Sequence, residues 1–124
     1  GGVRLGTAEI YSVVEKFKNV KESIVIGQSW DNDVRIILFL VLNKPNSLND
    51  FFIQKLKKTI KSEASPRHVP AKIIEVTDIP RTKNGKIVEL AVKNVIDGNK
   101  IQNIDALSNP LALNQYKNLV ELKS

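Results

Sequence analysis

Val34-Arg35-Ile36-Ile37-Leu38-Phe39-Leu40-Val41-Leu42 is the stretch on which the fold turns. From Ile36 to Leu42 it is apolar without a break. A membrane span needs ~20 such residues, so this run is of strand length. Side chains alternate across a strand, and a strand apolar at every position must be covered on both faces. Just upstream, Asp31-Asn32-Asp33 is a turn signal, and Ser23 to Ser29 is rich in Ile and Val. The short turn makes these two strands an antiparallel hairpin.

Working outward, Thr7 is placed to cap a helix reaching about Lys18. Its residues Ile10, Val13, Val14 and Phe17 fall on one apolar stripe. Glu9, near its start, suits the helix dipole. Beyond the hairpin, Asn43 to Asn46 breaks the chain. Ser47, with Asp50 three residues on, predicts the start of a second helix. Phe52, Leu56, Thr59 and Ile60 form its stripe, with Lys55, Lys57, Lys58 and Lys61 largely off it. Pro66 ends it by about Ser65. Lys72 to Val76 reads as a short strand. Val88 to Asp97 reads as a helix carrying Val88, Ala91, Val92 and Val95, closed by Gly98. The fold class is α+β: a small three-stranded sheet with covering helices over residues 1–98. Residues 99–124 are expected to form a C-terminal extension, rich in Asn and Leu, with a short helix around Leu111 to Leu119.

Composition narrows the chemistry. The 124 residues fit one domain, with 42% hydrophobic residues for a modest core. With no cysteine and one histidine, His68, neither a disulfide nor a thiolate or histidine metal site is expected. The N-terminus has no charged-then-apolar signal pattern, which favours a cytoplasmic setting without a membrane partner. The chain has no methionine, so it reads as a piece of a longer protein. The net charge of +6 attracts polyanions in general. Tyr11, Tyr116, Trp30 and the four phenylalanines form no stacking cluster in sequence, and no nucleic-acid partner is expected, although the basic balance and lysine-rich helix leave a nucleic-acid-binding module, or a non-catalytic structural domain, as the alternative. Trp30, at the hairpin bend, is read as packing.

Asp78-Ile79-Pro80-Arg81-Thr82-Lys83-Asn84-Gly85-Lys86 is a loop by composition and carries three cations. Gly85 permits φ > 0 and close backbone approach, Pro80 stiffens the entry, and Thr82 can fold its hydroxyl onto nearby backbone. Such a loop is a means of aiming Lys86 as a point charge at a phosphate. By composition alone a polar loop with three cations is more often just solvated. It is not a P-loop: Pro80 stands where that pattern needs glycine, and Ile87 where it needs Ser or Thr.

The residues Asp78, Pro80, Thr82, Gly85 and Lys86 resemble the closing motif of the adenylate-forming enzymes: proline, a basic residue, threonine, two variable residues, glycine, lysine. The stretch Gly2-Val3-Arg4-Leu5-Gly6-Thr7-Ala8-Glu9-Ile10 resembles the segment just after that family's interdomain hinge. The resemblance covers about residues 1–98. The Thr-Ala-Glu-Ile form is similar to the acetyl-CoA synthetase branch. The Leu107-Ser108-Asn109-Pro110 tail resembles its acetoacetate-activating members.

The resemblance implies a mobile C-terminal lid that works with an N-terminal large domain of the same enzyme. A small carboxylic acid and ATP would give an acyl-adenylate and pyrophosphate; coenzyme A would then give acyl-CoA and AMP. The large domain would hold the nucleotide and acyl pockets and most contacts to magnesium, so the lid alone is expected to be inactive. Lys86 matches the catalytic lysine of adenylation, and Gly85 its neighbour in the binding loop. Gly2 matches a glycine lining the pantetheine channel, and Arg4 an arginine near phosphate groups. Lys61 matches a basic residue facing coenzyme A's ribose phosphate, in a patch that Arg67 and His68 could join.

Overall fold

The computed structural model describes residues 6–101 and 104–124. The chain runs α1 (Ala8–Val14), β1 (Val20–Trp30), β2 (Asp33–Leu42), α2 (Asp50–Glu63), β3 (Lys72–Glu75) and α3 (Glu89–Ile96). Short 3-10 turns follow α2 at Pro66–His68 and fill the tail at Ile104–Ala106, Pro110–Tyr116 and Val120–Lys123. The sheet order is β1-β2-β3. β1 and β2 are antiparallel, closed by the pair Trp30 and Asp33, with Asp31 and Asn32 both at positive φ. Two left-handed residues match the twist of a two-residue hairpin, which explains the Asp-Asn pair there. β3 pairs with β2 in parallel. Parallel neighbours cannot be joined by a tight turn, and α2 provides the crossover.

The expectation for β2 holds from Ile37 to Leu42, whereas Val34 at its start is exposed. Ile37, Phe39 and Val41 enter one core, with Ile24 and Ile26 of β1, Ala91 and Val92 of α3, and Leu107, Leu113, Tyr116 and Leu122 of the tail. Leu38, Leu40 and Leu42 enter the other, with Ile10, Val13 and Val14 of α1 and Phe52, Leu56 and Ile60 of α2. The sheet is therefore the middle of three layers.

Two helix boundaries and one cap differ from expectation. α1 ends at Val14 rather than near Lys18. The amides of Lys16 and Phe17 bond three residues back, to the carbonyls of Val13 and Val14, and the chain reverses into β1. Thr7 receives α1's first amides on its backbone carbonyl, without a side-chain cap. α2 starts at Asp50, and its cap is Asn49, whose Oδ1 accepts from the Phe52 amide at 2.8 Å. Asparagine is a preferred cap, and it displaces Ser47 from that role.

The tail departs furthest. Its longest regular piece is 3-10 over Pro110–Tyr116, and it closes the core that holds Ile37, Phe39 and Val41. Tyr116 is fully buried, its ring edge-on to Phe39 with centroids 4.8 Å apart, and its hydroxyl donates to the Asp78 carbonyl at 2.8 Å. The buried Gln28 donates to the Leu122 carbonyl and accepts from Arg35, whose guanidinium lies 3.9 Å from the Trp30 ring centre.

β1 is an edge strand, yet three of its outward polar groups have side-chain partners. The Val25 amide donates to the Tyr11 hydroxyl, which donates in turn to Glu89. The Gly27 carbonyl accepts from Lys93 at 2.6 Å, and the Ser29 amide donates to Asp97 at 3.1 Å.

Both tyrosine hydroxyls sit well above their ordinary pKa of 10.0. For Tyr11 the cause is burial, then the bond to Glu89; for Tyr116 it is burial, then the charge of Asp78. An unfolded chain releases these protons near pH 10, while the folded chain keeps them. Stability should therefore be insensitive to these groups below about pH 10 and fall above it. In denaturant unfolding followed from about pH 9 to 11, Tyr116→Phe should flatten that fall. Equal slopes in the two proteins would contradict the assignment.

Candidate functional site

The loop from Asp78 to Val88 is a miniature hairpin. Arg81 and Ile87 face each other as an antiparallel bridge. The Thr82 amide donates to the Lys86 carbonyl at 2.8 Å, the Gly85 amide to the Thr82 carbonyl at 2.9 Å, and the Val88 amide to the Pro80 carbonyl at 3.1 Å. The Thr82 hydroxyl accepts from the Lys86 amide at 3.1 Å, so threonine serves the loop as its composition suggested. Gly85 has φ +84°, and a Cβ there would meet no atom within 4 Å. Glycine is required by backbone conformation, not by crowding within this chain.

The three cations divide into two kinds. Arg81 is half-buried and committed: Nη2 pairs with Glu22 of β1 at 2.8 Å, and Nη1 donates to the Gly85 carbonyl at 3.1 Å. Lys83 and Lys86 are exposed, and neither ammonium pairs with a described residue. Arginine's planar fork thus fixes the hairpin, and lysine's point charge is left for something outside it.

The base of the hairpin is held by the tail. Asn109 Oδ1 accepts from the Arg81 amide at 2.8 Å; its Nδ2 donates to Asp78 Oδ2 and to the Ile79 carbonyl, each at 2.9 Å. The Ser108 amide donates to the Arg81 carbonyl at 2.9 Å, and Leu107 bridges Thr82. Sequence reasoning quoted Ser108 and Asn109 only for resemblance and gave them no role. The Asn-Pro step at Asn109-Pro110 marks a turn, but nothing local ties it to a loop 28 residues earlier.

The other candidates lie elsewhere. Gly2 and Arg4 fall outside the described residues. Lys61 is exposed in the last turn of α2, the layer on one face of the sheet. Lys86 belongs to the loop that feeds α3, in the layer on the other face. Arg67 is exposed. His68 is half-buried, with Nδ1 2.6 Å from the Ser65 hydroxyl and Nε2 3.9 Å from Glu9. The described residues contain no cluster of three or more His, Cys, Asp or Glu side chains able to hold a metal ion. None of their helices is long and apolar enough to cross a membrane.

Residues 9–86 match the family model of the AMP-binding enzyme C-terminal domain, and the chain belongs to that family. Among proteins it resembles, it is 55% identical over 124 residues to the acetoacetyl-coenzyme A synthetase of Rhizobium meliloti (strain 1021), covering 100% of this chain and 19% of the relative. It is 44% identical over 124 residues to the acetoacetyl-CoA synthetase of Danio rerio, covering 99% of this chain and 18% of the relative. The solved acetoacetyl-CoA synthetase of Streptomyces lividans superposes with a TM-score of 0.83 at 36% identity, over 93% of this chain and 18% of that one. The chain thus spans under a fifth of the length of these relatives.

Gly85→Ala should test the loop's backbone demand. Forcing a Cβ into the left-handed region costs about 1–2 kcal/mol. Thermal unfolding of the chain should fall by several degrees. An unchanged midpoint would mean that the loop relaxes without the positive φ.

Proposed function

We propose that this chain is the mobile C-terminal domain of an ATP-dependent acyl-CoA synthetase that converts acetoacetate, ATP and coenzyme A to acetoacetyl-CoA, AMP and pyrophosphate. One observation carries the reading. The hairpin spends its arginine on its own rigidity and leaves the Lys86 ammonium exposed and without a partner among the described residues, beside a glycine that sets the backbone. In adenylation the carboxylate oxygen bonds to the α-phosphorus as the bond to pyrophosphate breaks. Negative charge moves across the phosphoryl oxygens, and a cation already in place stabilises it without reorganisation. The N-terminal large domain is the partner that brings the acid and nucleotide to this ammonium. Magnesium would travel with the ATP phosphates, because the described residues offer no cluster to hold it.

Gly2 and Lys61 belong to the second half-reaction in this reading. Gly2 would line the path of the coenzyme A thiol and Lys61 would face its ribose phosphate, while Arg4 would lie near phosphate groups. The names of the acetoacetyl-CoA synthetase relatives support acetoacetate as the acid.

In the full-length enzyme, Lys86→Ala should lower acid-dependent ATP–pyrophosphate exchange by about 10²–10³-fold, the loss typical of one such donor. Thioester formation from supplied acyl-adenylate should survive. Unchanged exchange would reject the role of Lys86.

Gly2→Leu should do the reverse, sparing exchange and blocking thioester formation. Equal loss of both would show that Gly2 does not line a thiol channel.

A further inference from the structure

The geometry points to Asn109 as a positioning residue for Lys86, acting through Arg81, and so to the tail as part of the adenylation machinery. This inference rests on the reading of Lys86 given above. The Asn109 carboxamide is fully used: its oxygen takes the Arg81 amide, and its nitrogen gives one proton to the Asp78 carboxylate and one to the Ile79 carbonyl. With two acceptors and one donor around it, the amide has only one orientation that satisfies all three. Asp78 is occupied on its other oxygen by the Ile79 amide at 3.0 Å. The backbone from Asp78 to Arg81 is thereby fastened to the tail.

That fastening reaches the lysine in two steps. Arg81 is the strand partner of Ile87, the residue next to Lys86, and Thr82 holds the Lys86 carbonyl. The Arg81 carbonyl takes the Ser108 amide as well, so both backbone groups of Arg81 end on the tail. The tail is itself anchored in the core by Leu113, Tyr116 and Leu122. Asn109 thus stands between a rigid core and the strand on which Lys86 is registered.

An aspartate at this position has the same shape but the wrong chemistry. It keeps the bond to the Arg81 amide, loses both donated protons, and sets a second carboxylate against Asp78. Exchanging the two side chains restores a donor–acceptor pair in the opposite sense. The carboxamide, moved to position 78, would donate to the carboxylate at position 109 and still accept from the Ile79 amide. A misplacement on the scale of 1 Å, transmitted from outside the chemistry, costs about 10²-fold.

The test is made in the full-length enzyme with acetoacetate as the acid, measuring pyrophosphate exchange and thioester formation from supplied acetoacetyl-adenylate. Asn109→Asp should lower the kcat of exchange by about 10–100-fold with KM for ATP little changed and the thioester step retained. The double variant Asp78→Asn, Asn109→Asp should recover most of the loss. Asn109→Ala removes the bonds without adding charge and, as a second variant, should lose about tenfold in exchange alone. Lys86→Ala run alongside separates the two readings. If Lys86→Ala lowers exchange while neither Asn109 variant does, the positioning role is wrong and the lysine's stands. If exchange survives Lys86→Ala, both fall. Equal loss of the two half-reactions in the Asn109 variants, or no recovery in the double variant, would also overturn the proposal.

Discussion

Burial of β2 on both faces is the constraint from which the rest of this domain follows. A strand with Ile37, Phe39 and Val41 on one side and Leu38, Leu40 and Leu42 on the other cannot rest with either side in water. Helices α1 and α2 cover one side. On the other, α3 alone does not enclose Phe39, and the tail completes the layer by setting the Tyr116 ring edge-on against it. The same tyrosine donates to the Asp78 carbonyl at the entrance of the lysine loop. Core packing and loop placement are thus joined in one side chain.

The loop gives two like charges different surroundings. Arg81 and Lys86 are five residues apart and carry the same charge, but of the two only the arginine meets a carboxylate, Glu22, among the described residues. Its second arm reaches the Gly85 carbonyl, one residue before the lysine. A guanidinium has the reach and planarity to tie two strands at once, whereas an ammonium on a flexible stem is better suited to meet a moving phosphate. Gly85, at positive φ, makes the turn that lies between them.

The hairpin, the doubly covered strand and the lysine loop were legible because their signals are local. The unbroken run Ile36 to Leu42 and the turn at Asp31-Asn32 each lie within one stretch of chain. The helix stripes of Leu56 with Ile60 and of Ala91 with Val92 were readable for the same reason. Helix ends were less so: Ser47 and Asn49 are both good caps, and in the fold Asn49 takes the Phe52 amide while the distant Glu75 holds the Leu48 amide at 3.0 Å. The tail was the least legible. Its 3-10 pieces are too short for a periodic stripe, and its work at Asp78, Ile79 and Arg81 spans about thirty residues of chain. Asn109 gives no sign in sequence of having three distant partners.

The covered margin of β1 has a consequence for how this domain lives beside other copies of itself. An exposed strand margin invites a foreign strand to dock, and sheets that grow this way end as fibrils. Here a visiting backbone would find the Val25 amide, the Gly27 carbonyl and the Ser29 amide already taken by Tyr11, Lys93 and Asp97. A margin held at these points offers a stray strand fewer groups to pair with, and copies of the domain can stay apart in water.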